Sequence, residues 1–308
     1  MGNMSDYAVL DGRFERLIIG HAKLERLWTG GRWTEGPAYF PAGRYLVFSD
    51  IPNDRIMRFD ETSGVVSVFR EPARNTNGHT VDQSGRLISC EHRGRGVSRT
   101  EHDGRVSMLA TQFGGKRFNS PNDVVVKSDG SIWFTDPTYG IDSDYEGDAA
   151  ASEIGTCNVY RLDPATSEIT AVISDRVRPN GLAFSPDERV LYVSDTGASH
   201  VENHPRAITA YTVSGDGRSV SRPRTVAVSD VGFFDGFRCD VHGNIWTSAG
   251  DGARCYAPDG THLGTVKVPE MVSNVCFGGL KRNRLFITAQ TSLYAIFLNT
   301  NGAVVASH

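Results

Sequence analysis

The chain alternates short apolar runs with turn residues, and one arrangement of the two recurs six times. In each unit an acidic or amide residue stands just before a strand-like run, a turn follows, and a second apolar run comes after the turn. The six units recur at intervals of 39 to 58 residues. Strand–turn–strand units of about 40–50 residues are typical of propeller blades. The second runs are Tyr45-Leu-Val-Phe, Leu87-Ile-Ser-Cys, Ile132-Trp-Phe, Leu191-Tyr-Val, Ile245-Trp and Leu285-Phe-Ile.

Further apolar runs extend each unit to four strands, except at the end of the chain. Third runs include Ile56-Met-Arg-Phe and Val159-Tyr-Arg-Leu, and Val65-Val-Ser-Val-Phe is one of the fourth runs. The last unit has little room for its own outer strand, which residues around Lys23-Leu-Glu-Arg-Leu-Trp can supply. Pairing the two chain ends closes the ring and removes exposed sheet edges.

The sequence therefore predicts an all-β fold, a six-bladed β-propeller with four-stranded blades whose ring is closed by an N-terminal strand. We expect one domain over residues 1–308, with an N-terminal extension over 1–20 and the first blade motif from about residue 33. The third unit is long because it includes a polar, acidic stretch over residues 139–156, which predicts a surface loop of the kind that often carries function.

Charge and composition narrow the classes of partner. The net charge is −4 and the isoelectric point is about 6.1, which argues against nucleic-acid or membrane-surface binding. No run of about 18 apolar residues is present, and the first residues do not form a secretory signal as written. Five cysteines are scattered without a Cys-x-x-Cys pair, as expected of reduced thiols in a cytoplasmic protein.

The six residues that open the units predict a metal site. The first strand of each blade lines the channel of a propeller, so equivalent positions meet at one mouth. Calcium and magnesium take carboxylate and amide oxygens as ligands, and two of the six residues are acidic. Asn-Gly is also a common turn dipeptide, but six oxygen-bearing side chains at one repeat position favour a shared site. The six are Glu35, Asn77, Asn122, Asn180, Asp235 and Asn274.

Five stretches match a known family pattern. They are Trp33-Thr-Glu-Gly-Pro-Ala, Asn119-Ser-Pro-Asn-Asp-Val, Ile132-Trp-Phe-Thr-Asp-Pro-Thr-Tyr-Gly, Arg178-Pro-Asn-Gly-Leu-Ala-Phe-Ser-Pro-Asp and Asp235-Gly-Phe-Arg-Cys-Asp. With them the sequence resembles the gluconolactonase, or senescence marker protein (regucalcin), family of six-bladed propellers. The second and third stretches resemble the bacterial gluconolactonase branch.

The resemblance implies a site on named residues. It implies a divalent metal held by Glu35, Asn180 and Asp235, and a contact from Asn122 to metal or substrate. Arg117 is the nearest counterpart of the substrate arginine in animal members. The predicted substrate-binding set is Asn122, Asn77, His79, Arg117 and Asn274, where His79 lies one step along the channel-facing side from Asn77.

The expected function is metal-dependent hydrolysis of a small sugar lactone, such as gluconolactone, to the aldonic acid. A divalent cation would polarise the lactone carbonyl, and Asp235 would activate water as general base. Calcium is the expected ion, with magnesium, manganese and zinc as alternatives. Two other functions stay open: a phosphotriesterase of the diisopropyl fluorophosphatase kind, and a calcium-binding or interaction propeller without turnover.

Overall fold

Six antiparallel sheets form a closed ring, which confirms the predicted six-bladed β-propeller. The computed structural model describes residues 6–304, so residues 1–5 and 305–308 of the predicted domain lie outside the described residues. The first strand of each sheet contacts the first strand of the next sheet, and the sixth contacts the first. The six first strands, called inner strands below, therefore surround the central channel.

Each blade runs from its inner strand outwards, and the strands are as follows. Blade 1 contains Thr34–Phe40, Tyr45–Asp50, Arg55–Asp60 and Val66–Arg70. Blade 2 contains Thr76–Val81, Leu87–Glu91, Gly96–Thr100 and Val106–Ala110. Blade 3 contains Val124–Val126, Ile132–Asp136, Cys157–Leu162 and Ile169–Arg176. Blade 4 contains Pro179–Phe184, Val190–Asp195, Ala207–Val213 and Val220–Val228.

The last two blades use strands from the N-terminal segment. Blade 5 contains Phe237–Cys239, Ile245–Ala249, Gly252–Tyr256 and His262–Lys267, and Tyr7–Val9 pairs with its outer strand. Blade 6 contains Val272–Gly278, Arg284–Ala289 and Ser292–Phe297, and Glu25–Thr29 forms its outer strand. The predicted closing strand is thus confirmed, and part of the expected extension adds a fifth strand to blade 5.

Other elements are short. A two-stranded hairpin, Gln112–Phe113 with Lys116–Arg117, connects blades 2 and 3. Single turns of helix occur at Phe14–Arg16, Ile51–Asn53, Tyr139–Asp142 and Gly197–Ser199. Within residues 6–304, no helix has the length and apolar character needed to cross a membrane.

The hydrophobic core lies between neighbouring blades. Trp133 of blade 3 packs edge-on against Phe184 of blade 4 with ring centroids 5.4 Å apart, and Trp246 of blade 5 does the same against Phe277 of blade 6 at 6.1 Å. Because each blade buries both faces, its second strand is a largely apolar run. This packing fixes the inner strands, and with them the residues at the channel mouth.

Candidate active site

Aspartates at the ends of second strands hold the segments that lead into the inner strands. Asp136 accepts hydrogen bonds from the backbone N–H groups of Asn119 and Ser120, each at 2.9 Å. Asp195 accepts from the N–H groups of Val177 and Arg178 at 3.1 and 2.9 Å. Asp50 does the same for Arg32 N–H in blade 1 at 2.9 Å. These carboxylates therefore fix where three inner strands enter the channel.

Glycine follows four of the six predicted site residues because the neighbouring blade is too close for a side chain. A Cβ at Gly78 would lie 2.5 Å from the Asn122 carbonyl oxygen, and one at Gly181 would overlap the Asp235 carbonyl oxygen. Gly36 and Gly236 are equally crowded by the next blade. These glycines lie inside or directly before inner strands, so the alternative interpretation of Asn77-Gly78 as a turn was wrong.

Side-chain hydroxyls join the inner strands around the ring. Ser49 Oγ donates to the Asn77 carbonyl at 2.8 Å, and Thr135 Oγ1 donates to the Asn180 carbonyl at 2.7 Å. Ser194 Oγ donates to the Asp235 carbonyl at 2.8 Å. Each bond crosses from the second strand of one blade to the site residue of the next, so the backbones of the site residues are fixed to one another.

The inner strands also deviate from regular pairing at the site. The register shifts between Glu35 and Ala38 in blade 1, between Thr76 and His79 in blade 2, and between Pro179 and Leu182 in blade 4. Such bulges re-aim side chains and are common beside active sites.

Glu35 and Asp235 are the acidic pair of the predicted site. The Asn274 amide donates to Glu35 Oε2 at 3.0 Å, and the Gly36 N–H donates to the same oxygen at 2.6 Å. Burial raises the pKa of Glu35 to about 8, against the lowering effect of these two hydrogen bonds. Burial and then the Glu35 charge raise the pKa of Asp235 well above its ordinary value, and a hydrogen bond with Asn180 offsets part of this.

Two further carboxylates act on the same pair. The negative charges of Asp123 and Glu146 raise the pKa values of both Glu35 and Asp235. Asp123 is paired with Arg238, whose Nη1 lies 3.2 Å from Asp123 Oδ2. Within residues 6–304 the other three carboxylates form no ion pair, although the charges of Arg238 and Glu35 act on each other. Without an ion pair, the raised pKa values of Glu35 and Asp235 favour their protonated forms, and a bound cation would favour their ionised forms.

A histidine links the inner strand of blade 2 to the 139–156 loop. His92 Nδ1 donates to the Glu146 carbonyl at 3.1 Å, so its Nε2 accepts from Asn77 Nδ2 at 3.2 Å. His92 is fully buried, which lowers its pKa to about 4 and keeps the ring neutral. The amide nitrogen of Asn77 is thereby occupied, and its buried Oδ1 has no hydrogen-bond partner among the described residues.

The remaining predicted substrate contacts lie in different surroundings. Asn122 is buried directly before the inner strand of blade 3. His79 is fully buried, and its ring nitrogens bond to Ser49 Oγ and Ser89 Oγ, each at 2.8 Å. Arg117 is exposed on the hairpin, where its backbone N–H donates to Glu153 of the 139–156 loop at 2.9 Å. Asn274 orients Glu35, as described above.

Four residues of the site were missed by the sequence analysis: Asp123, Glu146, His92 and Arg238. Asp123 directly follows Asn122, and Glu146 lies in the acidic loop, so both were adjacent to features that were recognised. The pairing of Arg238 with Asp123 joins residues 115 positions apart, and no local signal indicates it.

The donor set of this site fits a hard divalent cation. Glu35 and Asp235 supply carboxylate oxygens, and Asn122 and Asn180 can supply amide oxygens. Among residues 6–304 no three His, Cys, Asp or Glu side chains form a metal-binding group, so a cation here would depend on amide oxygens.

A cavity opens at the end of the channel opposite the acidic pair. It measures about 310 Å³ and is lined by residues farther along the inner strands, including Ala38, Val126 and Phe184. Arg238 also lines it and lies between this cavity and the acidic mouth. This cavity also has acidic residues in its lining, Asp82 and Glu188, but not the Glu35 and Asp235 pair.

Known proteins resemble this chain over nearly its full length. Residues 33–291 match the model of the SMP-30/Gluconolactonase/LRE-like region. A gluconolactonase from Zymomonas mobilis subsp. mobilis is 30% identical, with 94% of this chain and 85% of that protein covered. The pentonolactonase XacC from Haloferax volcanii is 29% identical over 84% of this chain and 82% of its own. A solved gluconolactonase from Xanthomonas campestris has a TM-score of 0.88 and 37% identity, covering 95% of each chain.

Proposed function

Because this chain is a lactonase of the SMP-30/Gluconolactonase/LRE-like family, we propose that it opens a small sugar lactone, such as gluconolactone, to the aldonic acid with a divalent cation. The observation that carries the proposal is the meeting of Glu35 and Asp235 at one channel mouth without an ion-pair partner among the described residues. The Glu35 charge raises the pKa of Asp235, and a cation would stabilise both carboxylates in their ionised form.

Glu35, Asn180 and Asp235 would hold the cation, with Asn122 beside them. When bound, a divalent cation supplies Lewis-acid polarisation of the lactone carbonyl. We expect calcium because all of these donors are oxygens, with magnesium, manganese and zinc as alternatives.

Asp235 would move the proton in this reaction. Its carboxylate takes a proton from water as the water oxygen adds to the carbonyl carbon. The bond from the carbonyl carbon to the ring oxygen then breaks, and the ring oxygen takes that proton to become a hydroxyl. Ser248 Oγ accepts the Asp235 N–H at 2.7 Å and Ser194 Oγ donates to its carbonyl, so the residue is held firmly while it acts.

The test is ring opening of D-glucono-1,5-lactone followed with a pH indicator. The protein is stripped with a chelator and refilled with single metals. We expect metal-dependent turnover, with kcat reduced at least about a hundredfold in Asp235→Asn, as is usual when a general base is lost. The exposed Asp103→Asn is the control and should retain wild-type turnover.

Other outcomes would contradict the proposed roles or favour one of the alternative functions. Turnover that is indifferent to chelator, or equal in Asp235→Asn, contradicts the roles proposed here. Hydrolysis of phosphotriesters without hydrolysis of lactones would support the phosphotriesterase alternative. Calcium binding without any turnover would support a non-catalytic propeller.

A further inference from the structure

We propose that Asn77 Oδ1 and the Glu146 carboxylate form a subsite that accepts hydrogen bonds only, held in place by His92, and that it selects lactones carrying hydroxyl groups. The inference rests on the proposed lactone hydrolysis for its substrate. It adds the chemical feature by which the substrate is recognised and the residues that recognise it.

The orientation of Asn77 follows from its neighbours. The Glu146 carbonyl can only accept, so His92 carries its proton on Nδ1 and presents a bare Nε2 to Asn77. Asn77 must therefore turn Nδ2 towards His92, which turns Oδ1 away from it. Asn77 is 5% exposed, and this oxygen has no partner within residues 6–304. A buried amide oxygen without a partner favours a ligand that donates a hydrogen bond.

The loop that carries Glu146 is held against the propeller at several points. The Gly140 N–H donates to Ser120 Oγ at 2.9 Å, and Arg93 pairs with Asp148 at 3.0 Å. Arg178 pairs with Asp142 at 3.1 Å. The bond from His92 to the Glu146 carbonyl lies between these anchors, so the position of Glu146 is fixed by the fold.

The Glu146 carboxylate lies close enough to the acidic pair for its charge to act on both members, and within residues 6–304 it has no hydrogen-bond or ion-pair partner. An ionised carboxylate accepts hydrogen bonds and donates none. Together with Asn77 Oδ1 it offers acceptors to a ligand above the pair.

A subsite made of hydrogen-bond acceptors distinguishes ligands by the hydrogen-bond donors that they carry. The hydroxyls of a sugar lactone can donate to it, whereas an unsubstituted lactone leaves the acceptors unpaired. A site built to bind hydroxyls rejects analogues that lack them, because its buried polar groups then lose their partners.

The experiment compares D-glucono-1,5-lactone with δ-valerolactone, which has the same ring without hydroxyls. Assays are run with calcium at pH 7.5, above the pKa of Glu146, which burial raises to about 7. In Glu146→Gln one acceptor becomes a donor, and we expect KM for gluconolactone to rise about tenfold with kcat nearly unchanged. The kcat/KM for valerolactone should stay within about twofold of wild type.

His92 acts as a positioning residue and is tested with a second variant. His92→Phe keeps a ring but removes both hydrogen bonds, so it should cause the same KM-selective loss for the hydroxylated lactone. A purely structural role would lower kcat for both lactones alike. Asp103→Asn, an exposed carboxylate outside this loop, is the control and should retain the wild-type preference.

Three results would overturn the inference. One is an equal change for both lactones in Glu146→Gln, and another is no change for either. The third is calcium affinity weakened about tenfold or more in Glu146→Gln, because the carboxylate would then be a cation ligand.

Failure of the proposed function is recognised separately. If the wild-type protein opens no lactone, binding is measured instead of turnover. The ligand is D-glucono-1,5-lactam, which resists hydrolysis, and its affinity is measured by calorimetric titration. Binding that weakens in Glu146→Gln but not in Asp103→Asn would then support the subsite. Absent or unchanged lactam binding would overturn it.

Discussion

At the scale of single residues, the spacing of the inner strands depends on positions that have no side chain. Gly181 does not need an unusual backbone conformation, and its requirement is space. An added Cβ there would overlap the carbonyl oxygen of Asp235 and approach Gly236 Cα to 2.9 Å. Close approach of the neighbouring blade, rather than turn formation, is therefore why glycine follows these site residues.

Gly181→Ala should destabilise the protein and disturb the acidic pair. We expect the free energy of unfolding to fall by about 1–3 kcal/mol, the usual effect of overpacking, and calcium affinity to fall with it because Asp235 is displaced. Urea unfolding and calcium titration measure the two effects. Gly215→Ala is the control, since its Cβ would meet nothing within 4 Å. Equal stability of the two variants would show that the inner strands can separate without cost.

His79 should make the fold sensitive to acid. Burial lowers the pKa of His79 to about 3, whereas an unfolded histidine titrates near 6.5. Below pH 6.5 the unfolded chain takes up a proton that the folded protein does not, so stability is lost as the pH falls. The contribution of this residue between pH 7.5 and pH 5 is at most about 2 kcal/mol.

The measurement is the change in unfolding free energy between pH 7.5 and pH 5. His79→Gln should show a smaller change than wild type, although its stability at pH 7.5 is also reduced by the loss of bonds to Ser49 and Ser89. Exchange of the exposed His102 for Gln serves as control. An identical pH dependence in wild type and His79→Gln would contradict a neutral buried imidazole.

At the scale of elements, the second strands could be predicted from sequence because a strand buried on both faces is a short run of apolar residues, which can be recognised locally. The run Tyr45-Leu-Val-Phe falls within Tyr45–Asp50, and Ile132-Trp-Phe falls within Ile132–Asp136. The repeat position of the site residues could also be predicted, because the inner strand occupies the same position in every blade. Their roles as ligands and substrate contacts remain predictions.

The loops could not be predicted in this way because their positions depend on distant partners. The 139–156 loop was expected from its composition, but its path is fixed by His92 and Arg178, which belong to other blades. Glu146 therefore looked like any other acid of a surface loop. The same holds for the N-terminal segment, whose strand Tyr7–Val9 pairs with residues about 250 positions later.

At the scale of the whole molecule, the ring depends on one pairing between the two ends of the chain. Glu25–Thr29 covers the edge of Ser292–Phe297, and Trp28 packs against Phe48 with ring centroids 5.5 Å apart. Without this strand, blade 6 would expose an open edge and the interface between blades 6 and 1 would lose the contact of the half-buried Trp28 with Phe48. An exposed edge of this kind invites association between molecules.

Truncation separates closure of the ring from the other contributions of the N-terminal segment. A variant that begins at Lys23 retains Glu25–Thr29 but lacks Tyr7–Val9 and the buried Phe14, so it should be less stable than wild type yet remain a single dispersed species. A variant that begins at Gly31 also loses the closing strand. We expect its unfolding midpoint to fall by roughly a further 10 °C, with aggregation visible by light scattering during size-exclusion chromatography. Equal midpoints and equal dispersity in the two variants would mean that inter-blade packing alone holds the ring, whereas a large difference would show that the ring needs its closing strand.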